Sequence, residues 1–413
     1  MLPYILMAAL FLFLAILAAV ESSFSSLSLL PWFNGMVWLR VHLITLGAMT
    51  QMLFGALPLL TAVRHRLPRP ATRWDIWLTL NAGILALLVG IPLVNRVPII
   101  MGGTLVFIAT VLLIGQLLKL RQAAPANESK AEGMGNGRKF YIAGLGYFLL
   151  GILVGTGLWS GWVGPLGIVG KAVEVHIHAN SWGLMSLVFA GLLVDLYPVW
   201  AKRPFANPKA ITPIFWMMTL GAFGLVFGPW FANTYLLVPG LLLHLAATVW
   251  LLVNIIKPLW GDWPAWTAGL AHLIVAYFWI LAPILMAPFV LFEIPGVPGP
   301  TIEATAPQAL IYGWMLQFGF AILPYFFTRI LLPDRPAQLG GTWFSFAFIN
   351  LGSLFLWTSI FISSTQPILH GLAYLLWVIA LLPIVNQLWR IIRTGLARLE
   401  RDVTPEGETH VLV

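Results

Sequence analysis

Two histidines begin stretches of sequence that share one pattern of small residues, and a third stretch repeats the pattern with glutamine in place of histidine. The stretches read His42-Leu-Ile-Thr-Leu-Gly47 followed by Gly55, His178-Ala-Asn-Ser-Trp-Gly183 followed by Gly191, and Gln308-Ala-Leu-Ile-Tyr-Gly313 followed by Ala321. Imidazole nitrogens are common metal ligands. A metal-ligating residue type at a fixed offset from small residues, repeated along the chain, indicates an architecture built around a buried cofactor.

The composition of the chain places these residues in a membrane protein. Hydrophobic residues make up 60% of the sequence and charged residues 9%, and the mean hydropathy is +0.91. These values exclude a soluble domain. Because a spanning helix needs about 20 apolar residues, we predict an all-α polytopic membrane protein with about twelve transmembrane helices, forming a single domain over 1–399. The apolar runs are 3–21, 37–62, 74–94, 98–120, 139–161, 174–199, 210–231, 234–256, 265–292, 306–332, 342–363 and 368–393. The first run follows no basic region, so we expect a retained helix rather than a signal peptide.

Lysine and arginine collect in alternate loops, which predicts the orientation of the helices. The basic groups are Arg64, Arg66, Arg69 and Arg73; Lys119, Arg121, Lys130, Arg138 and Lys139; Lys202, Arg203 and Lys209; Arg329 and Arg335; and Arg390, Arg393, Arg398 and Arg401. Both termini are then cytoplasmic, with a cytoplasmic linker at about 121–138 and a cytoplasmic tail at 400–413. The net charge of +8 is explained by contact with anionic lipid headgroups of the cell membrane, and we expect no nucleic-acid partner.

This topology assigns a depth to each histidine. Predicted helices two, six, ten and twelve run from outside to inside, so four histidines lie in the outer half of the membrane, His42, His176, His178 and His370. Ionisable groups inside a membrane are costly and are candidates for function. His244 is expected at the middle of helix eight and His272 in the inner half of helix nine, where a polar contact between helices is the alternative. His65 and His410 fall in solvated regions.

The three stretches lie on predicted helices two, six and ten, four helices apart each time. This spacing divides the chain into three pseudo-symmetric four-helix arcs. On an α-helix with 3.6 residues per turn, residues five apart lie about 140° apart, whereas residues eight apart return to nearly the same face. A glycine face can admit a flat macrocycle or a neighbouring helix. Helix packing alone is therefore the alternative explanation for Gly47, Gly55, Gly183 and Gly191.

The arcs, with histidines near the outer ends of helices two and six, resemble subunit I of the haem-copper oxidase superfamily. His176-Ile-His178 followed by Trp182 and Gly183 also resembles the His-x-His motif of its nitric-oxide-reductase-like branch. The position of His42 resembles the first ligand helix of the short NnrS-like family. This resemblance implies non-covalent haem b and a role in respiratory electron transfer or nitric-oxide handling. It also implies partners such as other respiratory subunits or a cytochrome or quinol donor.

Several residues depart from the pattern of that superfamily. The sequence has no adjacent pair of histidines, and Gly228-Pro229-Trp230-Phe231 stands where the resemblance would place copper ligands. Copper at the usual three-histidine site is therefore not expected. Gln308 replaces a haem-ligating histidine on helix ten, and no run of acidic residues crosses the membrane interior. We therefore expect neither oxygen reduction at a two-metal centre nor proton pumping.

Helical geometry restricts which histidines can share one cofactor. Residues 176 and 178 lie about 200° apart on a regular helix, so one of them must face away from a centre that the other ligates. Because they share the repeat position, we predict His42 and His178 as the metal ligands, with Gly47 and Gly183 against the cofactor. His176 and His370 are further candidates for ligands or for groups that support them.

Two other functions are compatible with the sequence. A cofactor-free accessory or scaffold subunit of a membrane complex would use the repeat for packing alone. A secondary transporter would explain the many prolines in apolar runs, because broken helices at the membrane midplane mark transporters. A division of the chain by three rather than by two disfavours the transporter.

Overall fold

The computed structural model describes residues 1–23, 36–123 and 137–403. Over these residues the chain is helical and has no β-strand, which confirms the prediction of an all-α fold. The helices are α1 (Leu2–Ser23), α2 (Met36–His42), π1 (Leu43–Met49), α3 (Thr50–Arg64), α4 (Trp74–Gly90), α5 (Arg96–Gln122), α6 (Gly137–Ser160), α7 (Ala172–His178), π2 (Ala179–Met185), α8 (Ser186–Ala201), α9 (Ile211–Trp230), α10 (Thr234–Ile256), α11 (Ala268–Leu291), α12 (Gly299–Ala309), π3 (Leu310–Leu316), α13 (Gln317–Leu331), α14 (Trp343–Ser359) and α15 (Gln366–Val403). The predicted linker and tail lie largely outside the described residues.

Ten helical segments of the described chain are long and apolar enough to cross a membrane. They are Leu2–Glu21, Trp38–Arg64, Arg96–Gln122, Gly137–Ser160, Ala172–Ala201, Pro208–Trp230, Thr234–Leu259, Ala268–Leu291, Gly299–Leu331 and Gln366–Arg398. Such helices match a lipid bilayer, because a helix satisfies its own backbone hydrogen bonds. Two further helices, α4 and α14, have 17 residues each. The total of twelve spans therefore stays a prediction.

Polar side chains fix where several helices begin. Asn95 accepts a hydrogen bond from the Val97 backbone N–H at 3.0 Å at the start of α5. At the start of α14, Thr342 and Ser345 form a reciprocal capping box. These caps satisfy backbone N–H groups that a helix leaves without partners at its N-terminus. These polar residues therefore define the first residues of α5 and α14.

Each of the three repeated stretches contains a π-helical segment of seven residues. His42 is the last residue before π1 and His178 the last before π2, whereas Gln308 lies two residues before π3. Backbone bonds in a π-helix join residues five apart rather than four. The angle of about 140° expected for residues five apart assumed α-helical geometry, and it does not hold across these segments. The repeat is thus a repeat of local backbone geometry as well as of residue types.

The helices that carry the π segments form the centre of the bundle. Within an 18-residue apolar window of each segment, the buried share of residues is 83% in Trp38–Arg64, 72% in Ala172–Ala201 and 100% in Gly299–Leu331. In the other seven long apolar segments of the described chain this share lies between 33% and 56%. Since π segments are frequent at functional sites, the central position of these three directs attention to their surroundings.

The repeated glycines lie where each π segment packs on an earlier helix. The segments π1, π2 and π3 contact α1, α6 and α11 respectively. A Cβ atom added at Gly47 would lie 2.7 Å from Phe11 Cγ, one at Gly183 would lie 2.4 Å from Tyr147 Cβ, and one at Gly313 would lie 2.8 Å from Trp279 Cγ. An aromatic side chain therefore covers the glycine in all three copies. The close approach of these helices requires glycine at each position.

Candidate functional site

A cavity of about 460 Å³ lies at one end of the bundle, and we call it the central cavity. Its wall is built from the N-terminal parts of the three central helices together with α4, α5 and α6. The volume falls within the range of about 300–1,000 Å³ that is common for small-molecule sites. Most of the wall is apolar, and the polar side chains include His42, His176, Asn180, Gln308 and Glu303. Two of the three repeats thus contribute a histidine, and the third contributes a glutamine.

The structure brings His42 and His176 together. Their ring centres lie 6.1 Å apart with an angle of 26° between the ring planes. Trp38 stacks on the ring of His42, with ring centres 4.4 Å apart and an angle of 14°. The two imidazoles come from different central helices, so the pair joins those helices across the cavity.

Both rings are oriented by hydrogen bonds to backbone carbonyls. Nδ1–H of His42 donates to the Trp38 carbonyl and Nδ1–H of His176 to the Gly151 carbonyl, each at 2.8 Å. Because a carbonyl can only accept, each Nδ1 carries the proton and each Nε2 keeps its lone pair. In the described chain no protein group hydrogen-bonds to either Nε2. A backbone carbonyl that accepts from one ring nitrogen, and so fixes the tautomer, is typical of metal-binding histidines.

His178 does not line the central cavity and does not pair with His42. Its Nδ1–H donates to the Leu225 carbonyl of α9 at 2.6 Å. Pro229, four residues after Leu225, has no backbone N–H, so the carbonyl has lost its helical donor. His178 supplies the missing donor and thereby joins π2 to α9. As expected for residues two apart, His176 and His178 face different helices.

The other predicted site residues also lie away from the cavity wall. Gly47 and Gly183 pack against Phe11 and Tyr147, so a group bound in the cavity would not lie against either glycine. His370 stands on α15, and within the described residues its buried Nε2 has no hydrogen-bond partner. All three residues therefore lie outside the cavity wall, and the two glycines serve contacts between helices.

Gln308 occupies the cavity wall in the third repeat. Its Oε1 accepts a short hydrogen bond from the Tyr374 hydroxyl, which belongs to α15. The ring of Tyr374 packs edge-on against Tyr312 of π3, with ring centres 5.4 Å apart. Because Oε1 already accepts a hydrogen bond, the amide NH₂ of Gln308 is the group that can contact a ligand. An amide NH₂ donates hydrogen bonds but does not ligate a metal.

Three charged residues meet beside the cavity. Lys171 Nζ lies 2.8 Å from Glu174 Oε1 and donates to both carboxylate oxygens of Glu303, at 2.8 and 3.0 Å. The hydrogen bonds to Glu174 and Glu303 raise the pKa of Lys171 above its ordinary value. We call Lys171, Glu174 and Glu303 the lysine clamp. It joins the start of α7 to α12, and Glu303 belongs to the cavity wall.

His42 and His176 are the residues that would hold a metal-containing cofactor. Two imidazoles that each bound one metal ion at about 2.0 Å could place their ring centres up to ~6 Å apart. The separation of 6.1 Å between His42 and His176 agrees with that arrangement. In the described part of the chain no group of three or more His, Cys, Asp or Glu side chains is arranged to hold a metal ion. A hypothesis of metal binding therefore depends on the pair His42 and His176.

Some parts of this site had a signal in the sequence and others had none. The His-x-His motif identified both neighbouring histidines. Which of the two lines the cavity depends on which side of π2 packs against α9. Pro229 was the signal for that choice, since a proline frees one carbonyl. Lys171 and Glu303 are 132 residues apart, and no local pattern links residues at that distance.

No protein-family profile and no curated protein matches this sequence.

Proposed function

We propose that this protein is a haem-binding integral membrane protein of the haem-copper oxidase superfamily, without the copper centre, that acts in respiratory electron transfer or nitric-oxide handling. The observation that carries the proposal is the pairing of His42 and His176 at 6.1 Å on the wall of a cavity, with both Nδ1 protons donated to carbonyls. The ligand pair is revised from His42 with His178 to His42 with His176.

The proposal includes an architecture of twelve spans in three arcs, with both termini on the cytoplasmic side of the cell membrane. Three central helices that each carry a π segment support this arrangement. Each π segment also packs on the helix that precedes its own, with an aromatic side chain over its glycine. An internal repeat of four helices would produce both features.

A bound haem would supply one-electron redox chemistry or nitric-oxide binding. His42 and His176 would hold it through Nε2, and the carbonyls of Trp38 and Gly151 would fix the ring orientations. With both histidines holding it, the haem would serve electron transfer with a cytochrome or quinol partner. The apolar wall would exclude water, and the Gln308 amide would donate hydrogen bonds to a polar edge.

A pyridine haemochrome assay with metal analysis on detergent-purified protein from a haem-replete host tests the proposal. We expect bound haem b with a Soret band, and a low-spin spectrum that is lost in both His42→Ala and His176→Ala. His178→Ala is the matched control and should keep the spectrum. Each variant is first checked for a single peak in size-exclusion chromatography. A colourless wild-type protein, or spectra unchanged in both cavity variants, would overturn the proposal.

A cofactor-free accessory subunit is the second candidate. The packing of Phe11, Tyr147 and Trp279 on the repeated glycines favours it, because helix contact alone accounts for those glycines. This role predicts a colourless protein that co-purifies with other subunits. The haemochrome assay therefore separates the two functions.

A further inference from the structure

Three arginines lie at the end of the bundle opposite the central cavity. Arg64 ends α3, Arg121 lies in the last turn of α5, and Arg138 is the second residue of α6. We call these residues the arginine cluster. Arg121 and Arg64 lie close enough to Arg138 to repel its charge. The cluster therefore concentrates positive charge where three helices end.

One member of the cluster is neutralised within the protein. Arg64 Nη1 donates to Asp195 Oδ1 at 3.1 Å. Asp195 also accepts from the Tyr141 hydroxyl at 2.8 Å and from the Gly137 backbone N–H at 3.0 Å. These three donors come from α3 and α6, so the carboxylate is held in place between them and is committed to Arg64.

Arg138 is buried without such compensation. The residue is 6% exposed, and its buried Nε and Nη1 have no hydrogen-bond partner among the described residues. In the described chain it forms no ion pair with an acidic residue. Burying an unpaired charge is strongly unfavourable, whereas a guanidinium satisfied by an anion is stable. The missing partner is therefore an anion with oxygen acceptors.

We propose that the arginine cluster binds the phosphate group of an anionic phospholipid. The planar guanidinium of Arg138 offers a fork of N–H donors that matches two phosphate oxygens. Basic pockets between membrane helices on the cytoplasmic side suit such headgroups, and this end of the bundle carries the excess of basic residues. Leu118, one turn before Arg121 on α5, is 42% exposed and offers an apolar surface for an acyl chain. This site does not depend on the proposed haem.

Titration of the delipidated full-length protein with short-chain lipids tests the proposal. The probes are dioctanoylphosphatidylglycerol, dioctanoylphosphatidylcholine and sodium phosphate, and the readout is the melting temperature. We expect a saturable rise with phosphatidylglycerol and none with phosphatidylcholine. Arg138→Gln should raise the phosphatidylglycerol concentration at half-saturation by ~10-fold or more, because a charge-assisted bidentate pair is lost. Lys202→Gln removes the same charge from an exposed position after α8. This control should change the half-saturation concentration by less than ~2-fold.

Each alternative outcome is decisive. Equal responses of Arg138→Gln and wild type would overturn the site, and an equal rise with sodium phosphate would overturn the assignment to a lipid. Native mass spectrometry of wild-type protein from membranes that contain both lipids keeps the test valid if Arg138→Gln does not fold. Selective retention of phosphatidylglycerol is expected there, and equal retention of the two lipids would contradict the proposal.

Discussion

His178 has a structural task that can be measured apart from any cofactor. Its Nδ1–H satisfies the Leu225 carbonyl that Pro229 leaves without a helical donor. We expect His178→Ala to lower the free energy of unfolding by about 1–3 kcal/mol, the cost of a buried acceptor without a partner. Pro229→Ala restores the helical N–H, so the double variant should lose less stability than the sum of the two single variants. Denaturation in detergent measures this coupling, and additive losses would contradict the explanation.

The close contact at Gly183 provides a second prediction for a single residue. A Cβ atom there would lie 2.4 Å from Tyr147 Cβ. Tyr147 cannot shift freely, since its hydroxyl donates to the Thr219 carbonyl at 2.8 Å. We expect Gly183→Ala to cost about 1–3 kcal/mol of stability through overpacking. Gly146→Ala, on the same helix as Tyr147 but with no atom within 4 Å, should be neutral or slightly stabilising. Equal melting temperatures for both variants would argue against the contact.

Residue types in the sequence predicted part of the site and could not predict the rest. The three stretches with residues at repeated offsets each contain a π segment, and the geometry of His-x-His correctly separated residues 176 and 178. The sequence did not show whether His176 or His178 would line the central cavity. That outcome depends on how closely α9 approaches π2, which is a property of packing between distant segments.

At the scale of helices, the lysine clamp joins two elements that local sequence cannot connect. Lys171 precedes α7 and reaches Glu303 on α12. We expect Lys171→Met to lower stability by about 0.2–1 kcal/mol, because the pair is largely exposed. Lys209→Met, at another exposed position, is the control and should have no such effect. High salt should reduce the difference, since exposed charges are screened.

The pH dependence of the clamp follows from the direction of the shift. The pKa of Lys171 is raised in the folded protein above its ordinary value of about 10.5. A raised pKa means that the stabilisation is complete below the unfolded value and is lost as the pH rises through the folded value. The difference in free energy of unfolding between Lys171→Met and wild type should therefore stay constant from pH 7 to 9. It should decrease only at strongly alkaline pH. A difference that declines between pH 7 and 9 would contradict this assignment.

The π segments mark the limit of sequence reasoning at this scale. Apolar runs gave helix positions to within a few residues, as in 74–94 against Trp74–Gly90. The same runs gave no sign that three helices change their backbone spacing after His42, after His178 and near Gln308. A π segment is stabilised by contacts around it, and here those contacts include aromatic side chains from other helices. A periodicity argument within one helix cannot include them.

For the whole molecule, composition determined the class of fold and packing determined its centre. Sixty per cent hydrophobic residues, arranged in runs of about 20, favour helices, because a helix satisfies its own backbone hydrogen bonds in lipid. Hydropathy alone does not distinguish a central helix from a peripheral one, because both are apolar. The apolar 18-residue window within Gly299–Leu331 is 100% buried, whereas that within Ala268–Leu291 is 33% buried, and this difference arises from tertiary contacts.

The absence of cysteine from the sequence makes the predicted topology directly testable. Single cysteines at Gly164 and Ala206 stand at exposed positions on either side of the segment Ala172–Ala201. In intact cells a membrane-impermeant maleimide should label Gly164→Cys, whereas Ala206→Cys should require permeabilised cells, because basic loops stay in the cytoplasm.

A third position tests the number of spans. Leu93 is 68% exposed and follows α4, one of the two helices of 17 residues. With twelve spans Leu93 lies on the same side as Gly164, so Leu93→Cys should be labelled in intact cells. If α4 does not cross the membrane, Leu93 remains on the side of Arg64, and labelling would require permeabilised cells. The repeat of four helices would then fail in its first copy, and the three-arc arrangement would fail with it, while the pairing of His42 with His176 would remain.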